Sequence, residues 1–321
     1  MLSGELPSLQ HRVSRYLRQP VDNDAKRFAT GMGFDHGQPL PIRVRFPSQC
    51  RSSIHGGSLR WRSVPTVRGI AESIAARTNP ELTPVWDSVG LQLGDPDAEV
   101  ASVGVCHEVT EGVVARVEES PVDLLVSYHP LLFTPTTRVL AGRSPGSRSY
   151  RLIRAGVNLL VTHTDFDSAP GGTADALAGF FGLRDLAEFG EDSATLLPAI
   201  GRIGDFEGTL GRVDALVVDA FGPAGLRVTG DRDAEVERLA VVPGSGSAFI
   251  EAAADAGADA LVTGDVSHHR TVAAADLGLA VVDPGHTATE RPGMESLARM
   301  VSEVGGVEVV DLTDLDPRTW Q

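Results

Sequence analysis

Six of the nine histidines lie in the body of the chain, and each of them closely follows a short apolar run. Several carboxylates occupy the same segments. The histidines are His107, His129, His163, His268, His269 and His286, and the carboxylates are Glu108, Asp165, Asp167, Asp265 and Glu290. Because ligand sites in parallel α/β sheets lie just beyond the carboxyl ends of strands, we expect several of these side chains to converge. Imidazole and carboxylate ligands together suit zinc, iron, manganese or cobalt.

This ligand set predicts a reaction class. Two ions would need at least one carboxylate able to bridge them. A bimetal site can polarise a substrate oxygen and lower the pKa of a bound water toward neutrality. Hydrolysis is therefore the natural reaction.

Each signal, taken alone, also has a plainer interpretation. His129 could be a turn histidine whose ring is satisfied by the backbone. His163 and Asp167 could form a local hydrogen bond across one helical turn. Glu290 could complement the dipole of a helix that begins near Pro292. Their joint placement at strand ends favours a metal site.

Apolar runs and helical stretches alternate from Thr66 onward and would position these residues. The runs predict strands at 102–106, 123–126, 158–161, 215–218, 239–242, 259–262 and 279–282. Helices are predicted at 110–119, 147–155, 173–181, 246–256, 270–277 and 292–304. Glycines such as Gly156 and Gly257 stand where left-handed helix C-caps belong. Apolar strands separated by helices predict an α/β fold with mostly parallel sheets covered by helices on both faces.

The charge of the 321-residue chain is unevenly distributed. The net charge is −15, but residues 1–66 carry 10 basic and 4 acidic side chains. The acidic remainder would repel polyanions, so a nucleic-acid partner is not expected. We interpret residues 1–65 as a basic, mostly disordered extension. A nucleic-acid arm, or a start codon assigned too far upstream, are the alternatives.

The composition also bears on the compartment. The sequence has no apolar run near the ~20 residues that span a bilayer, and the first thirty residues lack the apolar core of a secretory signal. Two cysteines, Cys50 and Cys106, cannot build a disulfide framework. We expect a cytoplasmic protein without a membrane partner, in which Cys106 serves core packing.

Five segments resemble, in order, the motifs of the Nif-three-like family, whose members are described as GTP cyclohydrolase I type 2 homologues or dinuclear-metal-centre hexameric proteins. The segments are Trp86–Pro96, Ser127–Phe133, His163–Asp167, Thr263–His269 and Asp283–Arg291. The resemblance implies two α/β lobes with a metal site between them, over residues 66–316, in a ring of six subunits. Some members carry an inserted domain between the lobes, and we expect none here because the segment from Asp167 to Thr263 is too short to hold one.

The resemblance also implies a ligand set for two divalent ions per subunit, either Zn, Fe, Mn or Co. By position, the ligands become His129, Asp167, His286 and Glu290, with Glu290 as the natural bridge. Tyr128 stands where the family has the first histidine of a pair, and a neutral phenol is a poor ligand. We expect weaker occupancy, a water, or recruitment of His163 or His269, unless Tyr128 points away and four ligands suffice with solvent.

The sequence thus predicts a metal-dependent hydrolase, similar to GTP cyclohydrolase, for a small nucleotide-like substrate that can carry a phosphate. His163 or His269 would shuttle a proton. Arg270 and Arg291 could pair with that phosphate or form ordinary surface ion pairs. The alternative function is a non-catalytic metal-binding ring protein, such as a scaffold, a metal-handling protein or a regulatory adaptor.

Overall fold

The computed structural model describes residues 64–78, 80–142, 146–191 and 198–315. The predicted extension, up to residue 63, lies outside them. The strands are β1 (Gly90–Leu93), β2 (Ser102–Cys106), β3 (Leu124–Ser127), β4 (Asn158–Val161), β5 (Arg184–Phe189), β6 (Gly201–Thr209), β7 (Arg227–Thr229), β8 (Glu235–Ser245), β9 (Ala260–Gly264), β10 (Ala280–Asp283) and β11 (Glu308–Asp311). The helices are α1 (Val67–Thr78), α2 (Glu111–Glu119), α3 (Ser147–Ala155), α4 (Thr164–Ser168), α5 (Thr173–Phe180), α6 (Leu210–Phe221), α7 (Ile250–Asp255), α8 (His268–Asp276) and α9 (His286–Ser302).

The strands form two sheets. The five-stranded sheet has the order β1-β4-β3-β2-β11, and only its edge strand β1 runs antiparallel. The six-stranded sheet has the order β5-β6-β8-β9-β10-β7, in which β8, β9 and β10 are parallel and the other pairs antiparallel. The α/β class is confirmed, and the second sheet is mixed rather than mostly parallel.

Helices cover both faces of the five-stranded sheet, as apolar strands require. Along β3, Leu124 and Val126 face a core that includes Ile70 of α1 and Leu297 of α9. Leu125 points to the opposite face, into a core built with α2 and α3. The six-stranded sheet is covered similarly, by α5 and α6 on one face and by α7 and α8 on the other. These two-sided cores fix the strand ends in place.

The strand predicted at 215–218 is wrong, because these residues lie inside α6. Leu210, Val213 and Val217 are buried at helical spacing along one face of α6. The side chain of Thr209 caps the helix by accepting a hydrogen bond from the amide of Arg212 at 3.3 Å. The apolar run is therefore the buried stripe of an amphipathic helix.

The last long helix, α9, begins at His286, six residues before the predicted start at 292. Pro292 thus lies inside the helix rather than in its first turn. As a consequence, His286 and Glu290 stand one turn apart at the N-terminal end of α9. None of the described helices has the length and apolar character that crossing a bilayer requires.

Candidate metal centre

Three histidines follow three neighbouring parallel strands of the five-stranded sheet. His107 follows β2, His129 lies two residues after β3, and His163 lies two residues after β4. The parallel pairing continues past the strand ends, since the amide of His129 donates to the carbonyl of His107 at 2.8 Å. The ring centroids of His107 and His129 lie 4.7 Å apart, and those of His129 and His163 lie 5.4 Å apart. The strand ends thus place three imidazoles side by side.

Glu290, in the first turns of α9, contacts two of these imidazoles although it lies at least 161 residues further along the chain. Its side chain is 3% exposed. Its Oε2 lies 2.7 Å from Nε2 of His107 and 3.1 Å from Nε2 of His129. Its Oε1 lies 2.9 Å from Nε2 of His286, one turn earlier in α9. One buried carboxylate therefore contacts three imidazoles.

Tyr128 points into this cluster and is 1% exposed. Its hydroxyl donates a hydrogen bond to Oδ1 of Asp167 at 2.6 Å and lies 3.3 Å from Oε1 of Glu290. Its ring stacks on that of His107, with centroids 5.5 Å apart and planes at 8°. Burial, reinforced by the charges of Asp167 and Glu290, raises the pKa of the phenol well above its usual value. Burial also raises the pKa of Asp167, to about 7.

Two further carboxylates orient histidines of the cluster through Nδ1. Asp265 Oδ2 lies 2.7 Å from Nδ1 of His286, and Asp87 Oδ1 lies 2.9 Å from Nδ1 of His163. Asp87 is itself held by the hydroxyl of Thr164, which donates to Oδ2 at 2.6 Å. Such carboxylates typically set the tautomer and ring orientation of metal-binding histidines. In both rings the Nε2 is left for other partners.

The electrostatics favour an anionic Glu290. Burial alone would raise the pKa of Glu290, but the hydrogen bonds with His107, His129 and His286 hold it well below its usual value. Burial lowers the pKa of His129, which keeps this imidazole neutral near pH 7. For His286, the contacts with Glu290 and Asp265 outweigh burial and raise its pKa to about 9. A proton on His286 therefore balances the buried carboxylate near neutral pH.

The cluster fits a divalent cation. One potential ligand atom from each of His107, His129 and Glu290 lies within 4.8 Å of the other two. Bonds of about 2.1 Å to a tetrahedral ion would space its ligand atoms roughly 3.4 Å apart, so small side-chain movements suffice. Two imidazoles and one carboxylate form an N/O donor set suited to zinc and its neighbours.

The structure brings most of the predicted site residues together. Glu290 contacts both His129 and His286, and Asp167 joins through Tyr128. The ring of His163 lies 5.4 Å from that of His129 and is tilted by 58° relative to it. His269 is exposed at the start of α8, where its ring packs against that of His268, and none of the contacts described for the cluster involves it.

Sequence reasoning missed two members of the site. His107 was among the histidines at strand ends, so its residue type and position were an available signal. Asp87 lies in the first motif, Trp86–Pro96, within an irregular segment before β1, but the motif does not show that it would reach His163. Its membership depends on tertiary structure alone.

The arginines proposed for a phosphate form ion pairs instead. Arg270 binds Glu251 of α7 at 2.7 Å and donates from Nε to the carbonyl of Ser247. Arg291 lies 3.7 Å from Asp314, and both side chains are exposed. Cys106 is fully buried, and burial raises the pKa of its thiol to about 12, in agreement with a packing role.

Gly244 makes room for the cluster, because a Cβ there would lie 2.6 Å from Oε1 of Glu290 and 3.3 Å from Nε2 of His286. We expect Gly244→Ala to weaken the binding of a divalent ion roughly 10- to 100-fold, as loss of a group that orients metal ligands does. Isothermal titration with Zn²⁺ or Mn²⁺ measures this effect.

Gly257→Ala is the matched control. Both glycines have a positive φ, 64° and 82°, so both variants place alanine in the left-handed region at a cost of roughly 1–2 kcal/mol. A Cβ at Gly257 meets nothing within 4 Å. Equal loss of metal affinity in the two variants would show that strain, and not contact with Glu290, is responsible.

The fold and this cluster define an α/β protein with a candidate metal centre at the carboxyl ends of parallel strands. The family model of Duf34/NIF3 (NGG1p interacting factor 3) matches residues 65–317. The chain therefore belongs to this family, which confirms the resemblance carried by the five motifs.

Relatives and solved structures agree with this assignment. A "GTP cyclohydrolase 1 type 2 homolog" from Streptomyces coelicolor is 32% identical over 249 residues, which cover 75% of this chain and 87% of that protein. One from Clostridium acetobutylicum is 29% identical over 217 residues, 67% of this chain and 81% of that protein. A Bacillus cereus protein related to NIF3 shares the fold, with a TM-score of 0.71, 22% identity, and coverage of 79% and 98% of the two chains. Reduced HcgD from Methanocaldococcus jannaschii gives a TM-score of 0.66 at 27% identity, with coverage of 77% and 98%.

Proposed function

We propose that this protein is a metal-dependent hydrolase that acts on a small nucleotide-like molecule. The observation that carries the proposal is the buried carboxylate of Glu290, which contacts the imidazoles of His107, His129 and His286 at the strand ends. The names of the relatives, "GTP cyclohydrolase 1 type 2 homolog", support the same reaction class.

The residues that would hold an ion are His107, His129 and Glu290, with His286 close by. A divalent ion there would polarise a substrate oxygen and lower the pKa of water. The family resemblance implies a second ion, which would need Asp167 beside His286 and Oε1 of Glu290. The two oxygens of Glu290 face different histidines, with Oε2 toward His107 and Oε1 toward His286. Assembly into a ring of six, which the resemblance implies, and a cytoplasmic location, which the composition suggests, remain predictions.

His163 is the better placed of the two proton shuttles predicted from the sequence. Asp87 engages its Nδ1, so proton exchange falls to Nε2. Burial lowers the pKa of His163, but the hydrogen bond and charge of Asp87 outweigh burial and raise it above its usual value. His163 therefore acts as a proton donor near neutral pH. His269, exposed beside His268, has no comparable support.

Two exposed aromatic side chains suggest how a planar ring would bind. Trp86 and Phe133 are 53% and 50% exposed, and their rings meet edge to face at 6.2 Å. The Phe133 ring lies 6.4 Å from that of His163, so this pair borders the cluster. Exposed aromatic faces bind nucleobases by stacking. The arrangement supports a substrate with an aromatic base.

Trp86→Ala is expected to weaken nucleotide binding roughly 10-fold, because stacking of one base contributes about 1–3 kcal/mol. Trp86→Phe, which keeps an aromatic face, should retain most of the affinity. Titration of GTP or a non-hydrolysable analogue measures both, and metal content should not change in either variant. Unaltered nucleotide affinity in Trp86→Ala would remove the aromatic pair from the substrate site.

The function is tested with protein reconstituted with Mn²⁺, Fe²⁺ or Zn²⁺ and assayed against GTP, other nucleotides and phosphoesters. We expect turnover that depends on the metal and stops on chelation. Tight metal binding without turnover across the panel would instead favour the non-catalytic metal-binding protein.

A further inference from the structure

The hydroxyl of Tyr128 stands between two buried carboxylates. It donates to Oδ1 of Asp167 at 2.6 Å, and its oxygen is 3.3 Å from Oε1 of Glu290. Asp167 and Glu290 are 5% and 2% exposed, so water does not screen them from each other. Carboxylates this close need a proton donor or a cation between them. Here the phenol supplies the donor.

The other half of the cluster is arranged differently. His107 and His129 contact the same oxygen of Glu290, and one ligand atom from each of the three residues lies within 4.8 Å of the others. A single ion can therefore replace the hydrogen bonds between them. The ring of Tyr128 is nearly parallel to that of His107, with the ring centroids 5.5 Å apart. The ring of Tyr128 therefore lies beside the candidate ligand His107. Its hydroxyl occupies the space between Asp167 and Glu290, where a second ion would bind.

We propose that this protein binds one divalent ion per subunit, at His107, His129 and Glu290, and that the Tyr128–Asp167 hydrogen bond takes the place of a second ion. A second ion would need Asp167 as a ligand, so the 2.6 Å hydrogen bond would have to break. The buried hydroxyl of Tyr128 would then keep only its longer contact with Oε1 of Glu290, at 3.3 Å, and lose the shorter hydrogen bond, which is unfavourable. Apart from Asp167, the contacts described for the cluster offer that ion only His286 and Oε1 of Glu290.

This inference rests on the proposed metal site and changes its composition. His107, which directly follows β2, becomes a ligand, and Asp167 becomes a positioning residue that holds Tyr128. The two expectations drawn from the family resemblance, two ions and Asp167 as a ligand, are thereby replaced for this chain.

The test is metal content. Apoprotein is loaded with excess Zn²⁺ or Mn²⁺, freed of unbound ion by gel filtration, and analysed for ions per chain. We expect one ion in the wild type, none in His107→Ala, and two in Tyr128→His, in which an imidazole replaces the phenol. His268→Ala, which removes an exposed histidine, and Tyr150→His, which adds one away from the cluster, should both retain one ion.

The outcomes separate this inference from the function it rests on. Two ions in the wild type, or one ion retained in His107→Ala, would overturn the inference and leave a metal-dependent function standing. No bound ion in the wild type would overturn the proposed function as well. Thermal unfolding of each variant shows whether it is folded, and the wild-type and His107→Ala measurements decide the question even if Tyr128→His does not fold.

Discussion

Glu290→Gln is expected to reduce the affinity for a divalent ion by more than about 100-fold and to abolish metal-dependent turnover. Loss of a group that only orients a ligand typically costs 10- to 100-fold in affinity, and in the proposed site Glu290 would supply the ligand itself. Its carboxylate is also the one anionic group in direct contact with His107, His129 and His286 among the described contacts of the cluster. Glutamine keeps the shape of the side chain but removes its charge.

Isothermal titration with Zn²⁺ or Mn²⁺ measures the affinity, and circular dichroism checks that the variant is folded. Glu295→Gln is the matched control, since Glu295 is exposed on the same helix and should bind metal as the wild type does. Undiminished metal affinity in folded Glu290→Gln would remove Glu290 from the site.

Phe166→Ala should lower the free energy of unfolding by about 3–5 kcal/mol, as large-to-small substitutions of a buried phenylalanine do. Phe166 of α4 is fully buried in the core that joins α1, α9 and the five-stranded sheet. Its ring also lies 6.5 Å from that of Tyr128, nearly perpendicular to it. The core and the candidate site therefore share this contact.

Urea unfolding of the apoprotein measures this loss. Phe133→Ala removes the same side chain at a position that is 50% exposed and should change the free energy of unfolding by less than about 1 kcal/mol. Comparable losses in the two variants would contradict the assignment of Phe166 to the central core.

The parallel strands could be predicted from the sequence because they are buried on both faces and therefore read as continuous apolar runs. β2 and β4 have the predicted bounds, 102–106 and 158–161. Gly156 and Gly257 adopt the left-handed conformation expected of C-caps, with φ of 72° and 82°. In contrast, β6 carries Arg202, Asp205 and Glu207 and pairs antiparallel with β5 and β8, so no apolar run indicates it.

The candidate site could be predicted only in part. The apolar runs predict the parallel strands, and the histidines that follow those strands are therefore expected at the same edge of the sheet. The histidines that contact Glu290 are selected by side-chain packing between distant segments. The local sequence pattern does not predict such contacts. The stacking of Tyr128 on His107, and the reach of Asp87 to His163, are contacts of this kind.

The most direct test of the site is a crystal structure of the protein loaded with Zn²⁺ or Mn²⁺, with the ion located by its anomalous scattering. We predict a peak about 2.0–2.3 Å from Nε2 of His107, Nε2 of His129 and a carboxylate oxygen of Glu290. A peak coordinated by other residues, or a loaded crystal in which these three side chains bind no ion, would contradict the account.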